Sequence, residues 1–186
     1  MMSKKLLLGT ILSISVLATC SNAADKKLID AIEQPDAAEI IKKDFLKPAQ
    51  KYTMPAGCIS NDKDSIARGK FIFHNLNGKK AKGTPPKGLV KFITKGDKKK
   101  PKQYGNCVAC HNIEGAKGAG NIGPDLTGYK KHFIDTKTRN NAFVYQKIAD
   151  PRIDNENTHM TINLTTGLFT EKEICDIASY IVSEKK

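Results

Sequence analysis

Residues 105–128 read GNCVACHNIEGAKGAGNIGPDLTG, and this stretch contains the run Cys107-Val108-Ala109-Cys110-His111. Two cysteines separated by two residues and followed at once by a histidine form the attachment signature of a c-type haem. Each thiol can add to one vinyl group of the same porphyrin, and the adjacent imidazole can then ligate the iron. The sequence therefore predicts one covalent haem c, held by Cys107 and Cys110, with His111 as its proximal ligand.

Two other interpretations of the cysteine pair are a thioredoxin-type redox centre and half of a zinc site. A redox pair of that kind belongs to a βαβ pattern, and no such pattern surrounds this motif. A zinc site needs a second pair of ligands close by, whereas Cys58 and Cys175 are isolated in the sequence. Haem attachment is the interpretation that agrees with the motif and its surroundings.

The loop from Gly123 to Gly128, GPDLTG, resembles the Gly-Pro-x-Leu-x-Gly loop of class I cytochromes c. The resemblance implies that the carbonyl oxygen of Pro124 accepts a hydrogen bond from His111. Such a bond fixes the tautomer and the ring plane of a metal-bound imidazole. The alternative is an ordinary proline-glycine turn.

The predicted sixth ligand to the iron is Met160, which lies 49 residues after His111 and shortly before the last helix. A thioether ligand raises the reduction potential of a haem. Met54 precedes the haem motif and is therefore on the wrong side of the chain for a class I arrangement. The alternative ligands are three histidines: His159, His132 and His74.

A helix near the C-terminus is indicated by a capping box, Thr170 with Glu173, followed by an apolar stripe at i, i+3, i+4 and i+7. The stripe consists of Ile174, Ile177, Ala178 and Ile181.

An upstream helix, capped by Asp64 or Ser65, contains Gly69 and Phe73. These two residues and Tyr180 of the last helix resemble the glycine–aromatic helix crossing of class I cytochromes c. The predicted fold is accordingly all-α, a class I cytochrome c domain over residues 58–186.

The chain has 186 residues and a formal net charge of +12, which suits nucleic acid, an anionic membrane or an acidic protein surface. Residues 77–105 hold ten lysines and one acidic residue and so carry +9, whereas the rest of the mature chain sums to +1. We predict that this lysine-rich insert is either a solvated loop or a cationic docking face for an acidic protein. A short strand is expected near Leu89–Thr94.

Residues 1–23 are predicted to be a cleaved signal peptide, because Lys4 and Lys5 precede an apolar run over residues 6–18 and a small-residue cleavage site. The run is too short for a stable membrane anchor, so no stable membrane insertion is expected. Lipidation at Cys20 is a weaker alternative, since a threonine precedes it. The predicted location is the periplasm, which is oxidising and makes nucleic acid an improbable partner.

Residues 24–57 are predicted to be an N-terminal extension of two short amphipathic helices, packed on a partner subunit or on the back of the domain. Once the haem motif has used two cysteines, Cys58 and Cys175 are left in the mature chain. An even remainder in an oxidising compartment suggests a disulfide. The alternative is two buried thiols.

About residues 105–182 resemble SoxX, the mono-haem subunit of the SoxAX cytochromes of bacterial thiosulfate oxidation. The most specific segments are AGNIGPDLTGY (residues 119–129) and VYQKIADPR (residues 144–152). The resemblance also implies that Met160 and His111 ligate the haem. This chain differs from that family in the lysine-rich insert and after Met160, where the sequence TINL replaces the Pro-Pro-Phe-Gly that usually follows the ligand methionine.

In that family, the partner subunit SoxA carries a haem with a cysteine persulfide ligand, where thiosulfate is joined oxidatively to a cysteine of a SoxYZ-type carrier protein. The resemblance implies that this chain is the electron-transfer subunit of such an L-cysteine S-thiosulfotransferase and passes electrons to a soluble acceptor, with the catalytic cysteine on the SoxA-type partner. Two alternatives stay open: a stand-alone periplasmic mono-haem shuttle, and a haem enzyme or gas sensor with an open or histidine-ligated distal site.

Overall fold

The structure is a computed structural model that describes residues 47–185. The predicted signal peptide and residues 24–46 of the predicted extension lie outside the described residues. The described chain contains three α-helices, α1 (Lys63–His74), α2 (Asn141–Ala149) and α3 (Glu171–Val182), and two strands, β1 (Phe92–Lys95) and β2 (Lys98–Pro101). Single turns of other helix types cover Cys107–Ala109, Lys130–Ile134 and Pro151–Ile153. Within residues 47–185, no helix combines the length and the hydropathy needed to cross a membrane.

Helix α3 begins with the predicted capping box. The Glu173 amide donates to Thr170 Oγ1 at 3.2 Å, and the Thr170 amide donates to Glu173 Oε2 at 2.9 Å. The predicted apolar stripe is buried over its whole length: Ile174, Ile177, Ala178 and Ile181. Each such isoleucine contributes about 1.5–3 kcal/mol by leaving water, so α3 is fixed by the core on one face and by its cap at one end.

Helix α1 begins two or three residues earlier than the sequence predicted, and its cap is Asp62 rather than Asp64 or Ser65. The Asp62 carboxylate accepts the amides of Asp64 at 3.4 Å and Ser65 at 2.9 Å. Ser65 cannot serve as the cap because its hydroxyl donates to Asp176 Oδ1 at 2.7 Å. The long-range partner on α3 therefore decides which residue caps α1.

The predicted crossing of the first and last helices is confirmed. A Cβ atom on Gly69 would overlap the backbone carbonyl of Asp176 and lie 2.8 Å from Tyr180 Cβ, so only glycine lets the helices approach this closely. The rings of Phe73 and Tyr180 meet edge to face with centroids 5.6 Å apart. Beside the crossing, Arg68 pairs with Asp176 at 2.8 Å.

Cys58 and Cys175 form a disulfide with an S–S distance of 2.04 Å, so the first of the two alternatives for these cysteines is the observed one. The bond joins the segment before α1 to α3. The Ser60 amide also donates to Ser179 Oγ at 3.1 Å in this region. Both contacts attach the segment that precedes α1 to helix α3.

The prediction of an all-α fold is wrong for the lysine-rich insert, which folds into an antiparallel hairpin. Phe92 pairs with Pro101 and Lys95 with Lys98, so the predicted strand is shifted toward the turn and has a partner that was not predicted. Gly96, at φ +60°, supplies the left-handed conformation that a two-residue hairpin turn requires. The base of the hairpin is fixed by buried Tyr104, whose hydroxyl donates to the Val90 carbonyl at 2.8 Å.

Candidate haem-binding site

One tight turn places the three residues of the attachment motif side by side. Asn106 enters the turn at φ +44°, a left-handed conformation that asparagine tolerates better than most residues. The amides of Cys110 and His111 then both donate to the Cys107 carbonyl, at 3.0 and 2.9 Å. Neither cysteine is in a disulfide, so both thiols are available to a porphyrin next to the turn.

The predicted contact between His111 and Pro124 is present: Nδ1 lies 2.9 Å from the carbonyl oxygen. A carbonyl only accepts, so this contact assigns the ring proton to Nδ1 and leaves the lone pair of Nε2 for a metal. The loop is itself attached to the motif, because the Gly123 amide donates to the Cys110 carbonyl at 2.9 Å and the Leu126 amide to the Asn112 carbonyl at 2.9 Å. The orientation of the imidazole is thus set by backbone groups.

Two glycines lie against the predicted haem-binding side chains. A Cβ atom on Gly123 would lie 2.6 Å from His111 Nδ1 and closer still to Cε1, and one on Gly105 would lie 2.7 Å from Cys107 Sγ. Both glycines belong to the sequence motifs, but the motifs alone do not predict a role for either. The close approach of backbone to ligand explains why no side chain fits there.

The pKa of the Cys107 thiol differs from that of a reactive redox cysteine. Burial raises its pKa to about 12, although the residue as a whole is only half-buried. The reactive cysteine of a thioredoxin-type pair has a lowered pKa instead. Among residues 47–185, no group of three or more His, Cys, Asp or Glu side chains is arranged to hold a metal ion.

Met160 lies in the loop between the Pro151–Ile153 turn and α3, where its side chain is half-buried and packs against the core. Its amide donates to Thr158 Oγ1 at 3.1 Å, whereas the neighbouring His159 is exposed. His74 is engaged elsewhere, since its Nε2 lies 2.9 Å from the Tyr180 hydroxyl. Met160 stays the predicted sixth ligand, and the exposed His132 and His159 stay the alternatives.

The donor set fits a covalent haem c. Two thiols on one turn, an imidazole held through Nδ1, and glycines where a side chain would collide together form a cradle suited to a flat cofactor. Comparison with known proteins agrees, since the family model described as Cytochrome c matches residues 98–185. This stretch of the chain is therefore similar to a cytochrome c domain. The class I cytochrome c fold and the haem c cofactor predicted from the sequence are thereby confirmed, with the hairpin as the departure from an all-α fold.

This chain is also similar to an uncharacterized lipoprotein of Aquifex aeolicus (strain VF5). The two are 31% identical over 154 residues, which cover 81% of this chain and 62% of the relative. The chain therefore spans less than two thirds of the length of the relative that it matches.

Proposed function

We propose that this electron-transfer haem protein is the mono-haem subunit of a SoxAX-type L-cysteine S-thiosulfotransferase. The observation that carries the proposal is how the cysteines are used. Within residues 47–185, Cys58 and Cys175 are joined to each other, and Cys107 and Cys110 belong to the haem motif, so the described chain offers no thiol for catalysis. Such a subunit transfers electrons, and the catalytic cysteine belongs to a SoxA-type partner.

Haem c supplies reversible one-electron chemistry when it is bound. The residues of this chain orient its ligands: Pro124 fixes His111, and Met160 supplies a thioether that favours ferrous iron and raises the potential. A raised potential suits a subunit that receives electrons when thiosulfate is coupled to a carrier cysteine. The electrons then pass to a soluble acceptor.

A stand-alone periplasmic electron shuttle is the alternative function. It is favoured by the sequence after Met160, where Thr161-Ile162-Asn163-Leu164 departs from the proline-containing loop of the SoxX family. A shuttle with this domain needs no permanent partner and no thiosulfate.

Reconstitution with a SoxA-type subunit from the same organism tests the proposal. The expected result is a stable complex in which thiosulfate and a SoxYZ-type carrier reduce the haem of this chain, and in which omitting SoxA abolishes the reduction. A chain that forms no complex and is not reduced under these conditions would instead support the shuttle.

Replacement of Met160 by alanine is expected to abolish the weak far-red absorption band of methionine-ligated ferric haem. The reduction potential should fall by on the order of 100 mV, within the span of about 0.8 V that axial ligands control. Met54→Ala, which truncates the other methionine of the predicted mature chain, is the control and should leave both properties unchanged. If the band is absent from the unmodified protein and His159→Ala alters the spectrum, His159 is the ligand.

We also propose export to the periplasm, with cleavage after Ala23. The relative bears the name lipoprotein, which supports the alternative of a lipid anchor on Cys20. The mass of the mature N-terminus distinguishes the two forms.

The hairpin of the lysine-rich insert is proposed to dock an acidic protein. The strand register places Ile93 and Lys100, and Lys95 and Lys98, on one exposed face, which concentrates positive charge there. Like charges directly opposite each other destabilise a hairpin, and an acidic partner would relieve that repulsion. The alternative is a solvated loop without a docking role, and it predicts that these charges do not affect the rate of electron transfer with the partner.

Reversal of three charges on this face, Lys95→Glu, Lys98→Glu and Lys100→Glu, should slow electron transfer with the partner about tenfold at low salt, at the lower end of steering effects. The difference should vanish at high salt, and the haem spectrum should stay unchanged. Reversal of three exposed lysines elsewhere, Lys51, Lys63 and Lys131, is the matched control. Equal rates for both triple variants and the unmodified protein would remove the docking role.

A further inference from the structure

Three half-buried residues surround buried Asp150 at the C-terminal end of α2. We name the four the Asp150 cluster: Gln50, Asp150, Arg152 and Thr165. Asp150 is fully buried, and its carboxylate accepts hydrogen bonds from all three other members. The donors are the backbone N–H of Gln50 at 3.2 Å, Thr165 Oγ1 at 2.6 Å, and Arg152 Nε and Nη2 at 2.9 and 2.8 Å. The cluster thus joins three segments that are distant in sequence.

The charge of this cluster is not explained by stability alone. The Arg152 guanidinium holds the pKa of Asp150 far below its usual range, so the carboxylate is ionised at every pH near neutrality. Well-packed apolar residues often stabilise a protein as well as a buried ion pair does, because desolvating two charges costs several kcal/mol each. The role of the cluster lies in the segments that it holds together.

The cluster closes the loop that carries Met160. This loop leaves α2 at Asp150, passes Met160 and returns at Thr165, whose hydroxyl donates to the same Asp150 carboxylate. Beside this contact, the amides of Asn163 and Leu164 donate to the Ala149 carbonyl at 3.1 and 2.9 Å. Both ends of the loop are therefore attached to the last turn of α2.

Hydrogen bonds hold the end of this loop that returns to α2. Residues 152–165 contain no proline, so no ring limits the backbone conformations between the Pro151–Ile153 turn and the return at Thr165. The Asn163 side chain adds a further bond to α2, since Nδ2 donates to the Ile148 carbonyl at 2.8 Å. The residues that donate these bonds follow Met160 by three to five positions. They are close enough to restrict the positions that its thioether can occupy.

We propose that Asp150 is a positioning residue, which clamps the Met160 loop through Thr165 and so keeps the thioether in place as a ligand. The inference rests on the proposed ligation by Met160. It predicts that a loosened cluster lets the methionine leave more readily and another ligand take its place. The group that touches the iron is unchanged; what changes is how firmly the chain holds it.

The test is the pH at which the ferric holoprotein loses its methionine far-red band. Asp150→Asn should lower the midpoint of this alkaline transition by about one pH unit, a tenfold loss in the preference for methionine. It should also speed hydrogen exchange at the amides of Asn163 and Leu164. Thr165→Val, which removes only one hydroxyl of the cluster, should shift the midpoint in the same direction by less and keeps the test available if Asp150→Asn does not fold.

Asp176→Asn is the matched control, because Asp176 is equally buried and pairs with Arg68 at 2.8 Å, at the helix crossing rather than at the loop. It should lower global stability while leaving the midpoint unchanged. Equal midpoints in the unmodified protein and both cluster variants, or a shift in Asp176→Asn as large as in Asp150→Asn, would overturn the clamp. A far-red band that persists in Met160→Ala would overturn the ligand assignment instead, and the two failures are thereby distinguished.

Discussion

Replacing Gly123 by alanine is expected to detach His111 from the iron while leaving the haem covalently bound. The new Cβ atom would lie 2.6 Å from Nδ1 of His111, well inside van der Waals contact. Neither group can move freely, because the Gly123 amide is held by the Cys110 carbonyl and the imidazole by the Pro124 carbonyl. We expect a change from a low-spin to a mainly high-spin ferric spectrum, and a loss of stability of about 1–3 kcal/mol from overpacking. Haem staining on a denaturing gel should be undiminished.

Gly115→Ala is the control for this prediction. A Cβ atom there meets nothing within 4 Å, although its φ of +75° makes any side chain strained, so a cost of about 1–2 kcal/mol is expected without a change of spin state. If Gly123→Ala keeps a low-spin spectrum, the loop can retreat from the imidazole, and the proximal side is less rigid than its hydrogen bonds indicate.

The parts of the site that the sequence predicted are those where neighbouring residues complete a motif. Cys107, Cys110 and His111 lie within one turn, and the contact of His111 with Pro124 spans only 13 residues. The capping box of α3 is equally local. For such features, the chemistry of the residue types and their spacing is enough.

The features that the sequence did not predict depend on partners far along the chain. The cap of α1 differs because the Ser65 hydroxyl bonds to Asp176, 111 residues away. Strand β2 is a run of lysines with low strand propensity, and its position depends on the Gly96 turn and on the Tyr104 anchor. Asp150 belongs to the segment 144–152 that resembles the SoxX family, yet its hydrogen-bond partner Gln50 is 100 residues distant. No spacing rule connects such residues before the fold is known.

Removing the disulfide by replacing both Cys58 and Cys175 with alanine should lower the free energy of unfolding by about 4 kcal/mol. The sequence separation of the two residues is 117, and the chain-entropy model gives about 4.7 kcal/mol for a loop of 100 residues. Small domains are stable by only about 5–15 kcal/mol, so the loss is a large share of the total. Denaturant unfolding of the holoprotein measures it, and reduction of the unmodified protein with dithiothreitol should reproduce it.

Each single variant should be loaded with less haem than the double variant. The reason is that the two cysteine pairs of the described chain must be in opposite redox states. Cys107 and Cys110 must be thiols when the haem is added, whereas Cys58 and Cys175 are oxidised. A lone Cys58 or Cys175 would be a free thiol in an oxidising compartment and could capture a haem-motif cysteine as a mixed disulfide. We therefore expect Cys58→Ala and Cys175→Ala to yield less haem-loaded protein than the double variant, measured as haem absorbance per mole of chain. Equal loading in all three variants would mean that haem attachment is faster than any mispairing.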